Sequence, residues 1–319
     1  MASVEFLGIS AKDGKERWRL IVEGPRIDGE RNQIKKCFKG TQKQAEKEAI
    51  RLEIEVKNIA NLNNGFLMGF RSITNTTNER CVLGTVIPLS AVGNSFPIWQ
   101  SNLNSQHIMR FVSCMSSFAC DFVARFKLGG TNFNFFIAQQ LAVLSPESFT
   151  HPVCLLLGKS LTACVLELLY TSYSLRPFAT DCGYYGPPFI WDEERRFEIR
   201  CELDALYFHL YLGTLTEWQT QGTSELLSYL PTPWHAVECI METFPIVKRK
   251  DLRDYGTYRT KLRILEIYDQ MTHCLATNTE YRSTLNPPPG PPCDSEGNFI
   301  PVEQWDKNNW PRHIHKGLS

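Results

Sequence analysis

Short strand-like runs followed by one amphipathic helix account for the first 57 residues. The strand-like runs cover residues 5–10, 17–23 and 33–38, and turn-forming triplets at residues 12–14 and 27–29 separate them. A helix is predicted next, because Thr41 is a good N-cap and Gln44 stands three residues later, as in a capping box. An apolar stripe follows at helical spacing, formed by Ala45, Ala49, Leu52 and Val56.

These elements predict a three-stranded antiparallel sheet packed on one helix in a domain of residues 1–57. Because the helix covers one face of such a sheet, the other face is left to solvent or to a ligand. We expect Arg17, Arg19 and Lys35 on that second face. Trp18 is expected either under the sheet or beside the ligand.

A mixed pattern of strands and helix is predicted for a second domain at residues 65–150. Residues 80–89 are strand-like, residues 105–127 carry apolar side chains on one helical face, and residues 132–137 and 140–144 are expected to be extended. Asp121 and Arg125 have the i,i+4 spacing of a helical ion pair, and Gly129-Gly130 is expected to end the helix.

Helical patterns dominate residues 151–284, the third predicted domain. The predicted helices are residues 153–173, 192–211 with Asp192 as the N-cap, 237–243 and 257–275, and the segment 176–188 is expected to be a loop. Residues 285–319 form a proline-rich tail, either extended on the surface or disordered. The predicted fold class is therefore α+β: a small sheet plus helix, a mixed α/β domain and a mainly helical C-terminal domain.

Composition indicates an ordinary globular protein of a reducing compartment. Of 319 residues, 43% are hydrophobic and 21% are charged, which is enough for buried cores. Eleven cysteines occur without a C-x-x-C pair, so neither a disulfide framework nor a zinc site is indicated. The first residues lack the apolar core of a signal peptide, and charged residues interrupt the longest apolar stretches. We expect a cytoplasmic protein with no membrane partner.

Charge is balanced overall but unevenly distributed. Residues 1–57 carry 13 basic and 10 acidic side chains, residues 58–150 carry 5 and 3, residues 151–247 carry 5 and 12, and residues 248–319 carry 11 and 9. A polyanion should therefore meet the first half of the chain or the basic cluster that begins at Lys248.

The amino-terminal motif GKERWRLIVEG…DGERNQIKKCFKGTQKQAEKEA resembles the N-terminal arm-binding domain of tyrosine-type phage integrases. The resemblance covers about 50 residues and consists of a Trp in the second strand, a basic third strand and T-x-x-x-A-E at the helix start. It implies a three-stranded sheet that contacts DNA. A small sheet-plus-helix adaptor would have a similar sequence.

Two later blocks resemble large type IIG-like restriction-modification and phage-defence adenine methyltransferases. Residues 69–149 contain GFRSITNTTNERCVLGTVIPLSAVGNSFPIW and MSSFACDFVARFKLGGTNFNFFIAQQLAVLSP, which resemble the target-recognition region. Residues 195–275 contain RRFEIRCELDALYFHLY and METFPIVKRKDLRDYGTYRTKLRILEIYDQM, which resemble the C-terminal helical section. The resemblance implies double-stranded DNA as a partner.

The methyltransferase core that precedes these blocks in that family is missing here. The nearest match to its Asn-Pro-Pro-aromatic motif is Asn286-Pro287-Pro288-Pro289, which lacks the aromatic ring that stacks on a flipped base. No Gly-x-Ser-x-Gly, P-loop or H-E-x-x-H motif occurs either. We therefore expect no catalysis by the chain alone and no cofactor, with S-adenosylmethionine entering only through a partner chain.

Basic and aromatic side chains are the candidates for DNA contact, because phosphate and base-edge recognition require them. The candidates are Arg17, Trp18, Arg19, Arg31, Lys35, Lys36, Arg71, Arg80, Arg125, Lys127, Lys248, Arg249 and Lys250. Structural alternatives exist. Arg125 could pair only with Asp121, Arg80 could be a solvated strand flank, and the cluster at residues 248–250 could be a solvated loop.

The sequence thus predicts a non-catalytic DNA-binding or specificity protein of a restriction-modification or phage-defence system. One alternative is a protein-interaction subunit that docks on a methyltransferase partner, for which the acidic segment 151–247 is suited. Another is a recombination accessory protein, supported by residues 1–57 alone. Glu202, Asp204 and His209 do not share one helical face, and His313 with His315 supplies too few ligands, so neither set indicates a catalytic or metal site.

Overall fold

The structure of the protein is a computed structural model that describes residues 3–23, 33–60, 65–99, 101, 104–294 and 296–316. The chain divides into two compact units. The N-terminal unit contains the described residues up to Gly65, and the C-terminal unit contains residues 66–99 and 104–316. The predicted α+β class is confirmed, because each unit has a three-stranded antiparallel sheet and helices dominate the rest of the chain.

The N-terminal unit is the predicted sheet plus helix. Strands β1 (Ser3–Ile9), β2 (Glu16–Glu23) and β3 (Gln33–Lys39) pair in that order, and α1 spans Gln42–Ala60. The Thr41 N–H group donates to Gln44 Oε1 at 3.0 Å, which is one of the two hydrogen bonds of the predicted capping box. The side chain of Val56, the last residue of the predicted stripe, lies outside the described residues.

Strict alternation along β2 decides which side chains contact α1. Trp18, Leu20 and Val22 are buried, and they form one hydrophobic core with Ala45, Ala49 and Leu52 of α1. The Trp18 Nε1–H group donates to the carbonyl oxygen of Gly40 at 2.9 Å, which satisfies its only polar atom. The intervening β2 residues therefore lie on the opposite face of the sheet.

The C-terminal unit begins with a second antiparallel sheet. Strands β4 (Phe66–Phe70), β5 (Gly84–Pro88) and β6 (Ile98–Trp99) are arranged with β4 in the centre. The sequence places β5 correctly but predicts it longer, from residue 80. Gly69 is required in β4, because a Cβ atom there would lie 2.5 Å from the carbonyl oxygen of Pro97.

Helices are the main secondary structure of the C-terminal unit. They are α2 (Ser105–Met115), α3 (Phe118–Lys127), α4 (Phe135–Ala138), α5 (Pro152–Leu157), α6 (Leu161–Leu169), α7 (Arg176–Asp181), α8 (Glu193–Leu212), α9 (Leu215–Gln221), α10 (Ser224–Tyr229), α11 (Pro233–Glu242), α12 (Pro245–Tyr255) and α13 (Arg259–Thr277). As predicted, Asp192 caps α8, and its side chain accepts from the Arg195 N–H group at 3.0 Å.

Two predicted helices are each broken in two. The prediction of one helix over residues 105–127 is wrong, because Ser117 starts α3 by accepting a hydrogen bond from the Cys120 N–H group at 3.2 Å. The prediction of one helix over residues 153–173 is also wrong. There α5 ends at Leu157, before Gly158, where a Cβ atom would lie 2.7 Å from Cys154 Sγ, and α6 begins at Leu161.

Five helices, α4, α7, α9, α10 and α12, form in segments that were not predicted as helices. Residues 132–137 were expected to be extended, yet Asn134 caps the short helix α4 by accepting from the Ile137 N–H group. The expected loop at residues 176–188 begins with α7. The basic cluster at residues 248–250 lies inside α12, whose first turn carries Pro245, instead of in a loop.

The proline-rich tail packs against the C-terminal unit as an irregular segment with a 3₁₀ turn at Val302–Gln304 and a bridge between Cys293 and Phe299. Trp305 and Ile314 are buried in the same hydrophobic core as residues of β4, α2 and α8. The Ile190 N–H group donates to the carbonyl oxygen of His313, and the His315 N–H group donates to that of Pro188. The core of this unit thus draws on all three predicted segments, residues 65–150, 151–284 and 285–319.

Buried Glu202 should make the stability of the protein depend on pH. Burial raises the pKa of this carboxyl from 4.5 to about 7, although the Ser283 hydroxyl donates to its Oε1 atom at 2.6 Å. The folded state therefore keeps a proton that the unfolded state loses, so stability falls as pH rises from about 4.5 to about 7.

Glu202→Gln, which cannot ionise, should abolish this loss. At pH 8 we expect it to be more stable than the parent by up to about 3 kcal/mol, and at pH 4.5 to differ little, as measured by urea unfolding. Glu225→Gln, at an exposed position of α10, is the matched control. An equal change in stability of both variants at pH 8 would contradict the assignment of the pH dependence to Glu202.

Candidate nucleic-acid interface

The face of the N-terminal sheet opposite α1 is basic. In the register of β2 and β3, Arg17 lies opposite Lys39, Arg19 opposite Cys37 and Ile21 opposite Lys35. Opposed residues of an antiparallel pair share a face. We call Arg17, Arg19, Lys35 and Lys39, the cations of this surface, the basic face.

The ion pairs on the basic face are weak and exchangeable. Arg19 Nη1 lies 2.8 Å from Glu5 Oε2, and Lys39 Nζ lies 3.1 Å from Asp13 Oδ2, with all four side chains at least partly exposed. Hydrogen bonds from Ser10 and then Lys39 lower the pKa of Asp13 to about 2, so it stays charged at neutral pH. Such exposed pairs contribute little to stability, and a phosphate group can replace the carboxylate.

Two cations of the basic face have no acidic partner. Arg17 and Lys35 are exposed and form no ion pair within the part of the chain that the structure describes. The basic face therefore carries a net positive charge that the sheet itself does not neutralise.

The structure assigns the other N-terminal candidates differently. Of the two positions predicted for Trp18, the structure has the one under the sheet. Lys36 lies opposite Leu20, on the helix side, with its Nζ atom 3.9 Å from Glu48 Oε1, so it does not belong to the basic face. Arg31 lies outside the described residues. Lys39 was missed, although residues 35, 37 and 39 alternate with the period of a strand.

A groove of about 1230 Å³ adjoins the basic face at the junction of β3 and α1. Lys39 lines both the groove and the face. The groove has three further cations, Lys15, Lys47 and Arg51, alongside Glu16 and Glu48. The groove extends the surface on which a polyanion could lie.

The guanidinium groups of Arg80 and Arg125 form ion pairs and hydrogen bonds inside the C-terminal unit. Arg80 Nη2 lies 2.7 Å from Asp204 Oδ2, its guanidinium stacks 3.2 Å from the ring centre of Phe118, and only 17% of its side chain is exposed. Arg125 Nε lies 2.9 Å from Asp121 Oδ2, as its spacing predicted, and its Nη atoms donate to three backbone carbonyls. These contacts use the donors that base readout would need.

Five other basic candidates of the C-terminal unit are at least partly exposed. Arg71 follows β4, and Lys127 is in the last turn of α3, just before Gly129-Gly130. In α12, Lys248 pairs with Glu242 at 2.6 Å, and Arg249 is exposed. The remaining candidate of α12, Lys250, pairs with Glu79.

The acidic and histidine side chains that could suggest catalysis have separate partners. Glu202 contacts Ser283, Asp204 contacts Arg80, and His209 stacks on Tyr268 with ring centres 3.8 Å apart. Burial lowers the pKa of His209 to about 4, so it is neutral at physiological pH. Within the described residues, no three His, Cys, Asp or Glu side chains form a group that could hold a metal ion.

Comparison with protein families, curated proteins and solved structures gives no match to this chain. The resemblances to integrase arm-binding domains and to type IIG-like methyltransferases therefore stay predictions. In the described part of the chain, no helix combines the length and the apolar character needed to cross a membrane.

Proposed function

We propose that the chain is a DNA-binding protein whose basic face contacts the phosphate backbone of double-stranded DNA. The observation that carries this proposal is the row of Arg17, Arg19, Lys35 and Lys39 on one side of a sheet. Residues 35 to 39 of a strand span roughly 13 Å, and neighbouring strands are about 4.8 Å apart. A patch of this length meets several phosphates of a duplex, which carries one charge per about 1.7 Å of its axis.

The proposed biological setting is a restriction-modification or phage-defence system in which a separate chain supplies methyl transfer. The sequence blocks at residues 69–149 and 195–275 support this setting, together with the missing methylation motif. A protein can recognise a DNA sequence without transferring a methyl group, because each function depends on its own site and not on the fold. Methyl transfer to DNA by the purified chain from radiolabelled S-adenosylmethionine would contradict it.

Substitutions on the basic face test the proposal. Arg17→Ala/Lys35→Ala should weaken binding to all DNA sequences alike and reduce the slope of log affinity against log salt by about 2, because each lost phosphate contact removes about 0.9 from the slope. Neither residue forms an ion pair among the described residues, so the fold should be retained.

The matched control is Lys12→Ala/Lys43→Ala, which removes the same charge from exposed positions outside the basic face. Fluorescence anisotropy with a labelled duplex measures affinity at each salt concentration. Equal losses in both double variants would show that only net charge matters and that the basic face is not the binding surface.

A second candidate function is docking on a protein partner. Phe126 and Phe136 are 76% and 72% exposed, and Ile73 is also exposed. Large exposed apolar side chains mark protein interfaces when they form a patch. A chain with this function would show no salt-dependent DNA affinity. Deleting residues 1–57 would leave its partner binding intact.

A further inference from the structure

A cleft of about 620 Å³ in the C-terminal unit has two arginines without acidic partners. It lies among α2, α3, α6 and α8, and its volume is within the range of small-molecule sites, about 300–1,000 Å³. Its charged lining residues are Glu79, Arg80, Arg196, Arg200 and Asp204. Glu79 pairs with Lys250 and Arg80 with Asp204. Arg196 and Arg200 form no ion pair within the described residues, although the charges of Glu193 and Glu167 act on Arg196. With three arginines against two carboxylates in its lining, the cleft is cationic.

Arg196 is positioned by contacts that leave donors unused. Its guanidinium stacks 3.7 Å from the ring centre of Trp191, and its Nη1 atom donates to the carbonyl oxygen of Leu168 at 2.9 Å. Its Nε atom is buried and has no acceptor. A buried donor without an acceptor is unfavourable unless a ligand or water supplies one.

Arg200 follows Arg196 by one helical turn, so two like charges are neighbours on α8. Burial, and next the charge of Arg200, lower the pKa of Arg196. Like-charged residues at i,i+4 destabilise a helix. An anion between the two guanidiniums would reverse this repulsion, and guanidinium groups match the geometry of phosphate oxygens.

The rest of the cleft suits the organic part of such an anion. Val165, Leu169 and Phe197 supply apolar wall, and the Ser113 and Tyr207 hydroxyls, 2.5 Å apart, lie in the same lining. We propose that this cleft binds a small organic phosphate, with its dianionic group at Arg196 and Arg200. This inference goes beyond DNA binding by the basic face, since it assigns a second site in a different unit.

Isothermal titration of the full chain tests the proposal with three probes: inorganic pyrophosphate, adenosine 5′-monophosphate and adenosine. The first two should bind saturably with Kd below about 1 mM, and adenosine at least tenfold more weakly, because it lacks the phosphate. Arg200→Ala should weaken binding of the two phosphate probes at least tenfold. Arg282 is an exposed arginine outside the cleft lining, and Arg282→Ala should leave their binding unchanged.

Arg196→Lys is the second variant, because it keeps the positive charge but loses the planar set of guanidinium donors. It should also weaken binding of the phosphate probes. DNA affinity of Arg200→Ala should equal that of the parent. Binding of neither phosphate probe at 5 mM, or equal binding by the Arg200→Ala variant, would overturn the proposal. Loss of DNA affinity in Arg200→Ala without phosphate-probe binding by the parent would assign both arginines to DNA instead.

Discussion

Asp121→Ala should lower the free energy of unfolding by about 3–5 kcal/mol, the typical effect of breaking a buried ion pair by removing one partner. Asp121 is fully buried, and its Oδ1 atom accepts from the Cys81 and Val82 N–H groups at 2.6 and 2.7 Å. Its Oδ2 atom accepts from Arg125 Nε at 2.9 Å. The substitution would therefore leave two amide donors without an acceptor, and Arg125, whose side chain is only 10% exposed, without its carboxylate partner.

Urea unfolding of the full chain measures this loss. Asp269→Ala, at an exposed position on α13, is the matched control and should change stability by less than about 0.5 kcal/mol. Asp121→Asn should fall between the two, because its amide oxygen can still accept from the two N–H groups. A loss below about 1 kcal/mol for Asp121→Ala would show that the Asp121 carboxylate does not hold the 81–82 segment on α3.

Glu167→Ala should cost a similar 3–5 kcal/mol and loosen the proline-rich tail. Glu167 pairs with Arg195 in the core, and its Oε2 atom accepts from the Gly290 N–H group at 2.7 Å. Arg195 in turn donates to the carbonyl oxygens of Pro287 and Pro288 at 2.7 and 3.0 Å. Removing the carboxylate leaves Arg195 charged and buried without its partner.

Limited proteolysis, followed by mass spectrometry, reports on the tail directly. Glu167→Ala should be cleaved between residues 285 and 316 at protease concentrations that leave the parent intact. The control Glu280→Ala breaks only the exposed pair with Lys159 at 3.1 Å, and it should be as resistant as the parent. Unchanged resistance of Glu167→Ala would mean that apolar packing of Trp305 and Ile314 suffices to hold the tail.

Local patterns predicted those features that depend on neighbouring residues. The three N-terminal strands, the Asp192 cap and the Asp121–Arg125 pair all follow from spacings of at most a few residues. The prediction from the sequence was wrong where two local preferences compete. Apolar periodicity runs through residues 105–127, but the Ser117 side chain caps a new helix and ends the old one.

Long-range partners explain why the candidate site was only partly predicted. Arg80 meets Asp204, which is 124 residues away in sequence, so no local pattern could show that its guanidinium is occupied. Lys35 and Lys36 are adjacent and looked equivalent, yet neighbouring strand residues point to opposite faces, and only Lys35 is on the basic face. The cleft at Arg196 and Arg200 requires four helices to meet, and its lining residues are scattered along the sequence.

The salt dependence of DNA affinity tests the proposed function most directly. The full chain is titrated against a labelled 30-base-pair duplex of random sequence between 50 and 200 mM salt. Three or four phosphate contacts by the basic face predict a slope of log affinity against log salt of about −3. A slope shallower than about −1, or no detectable binding at 50 mM salt, would contradict DNA binding by this protein.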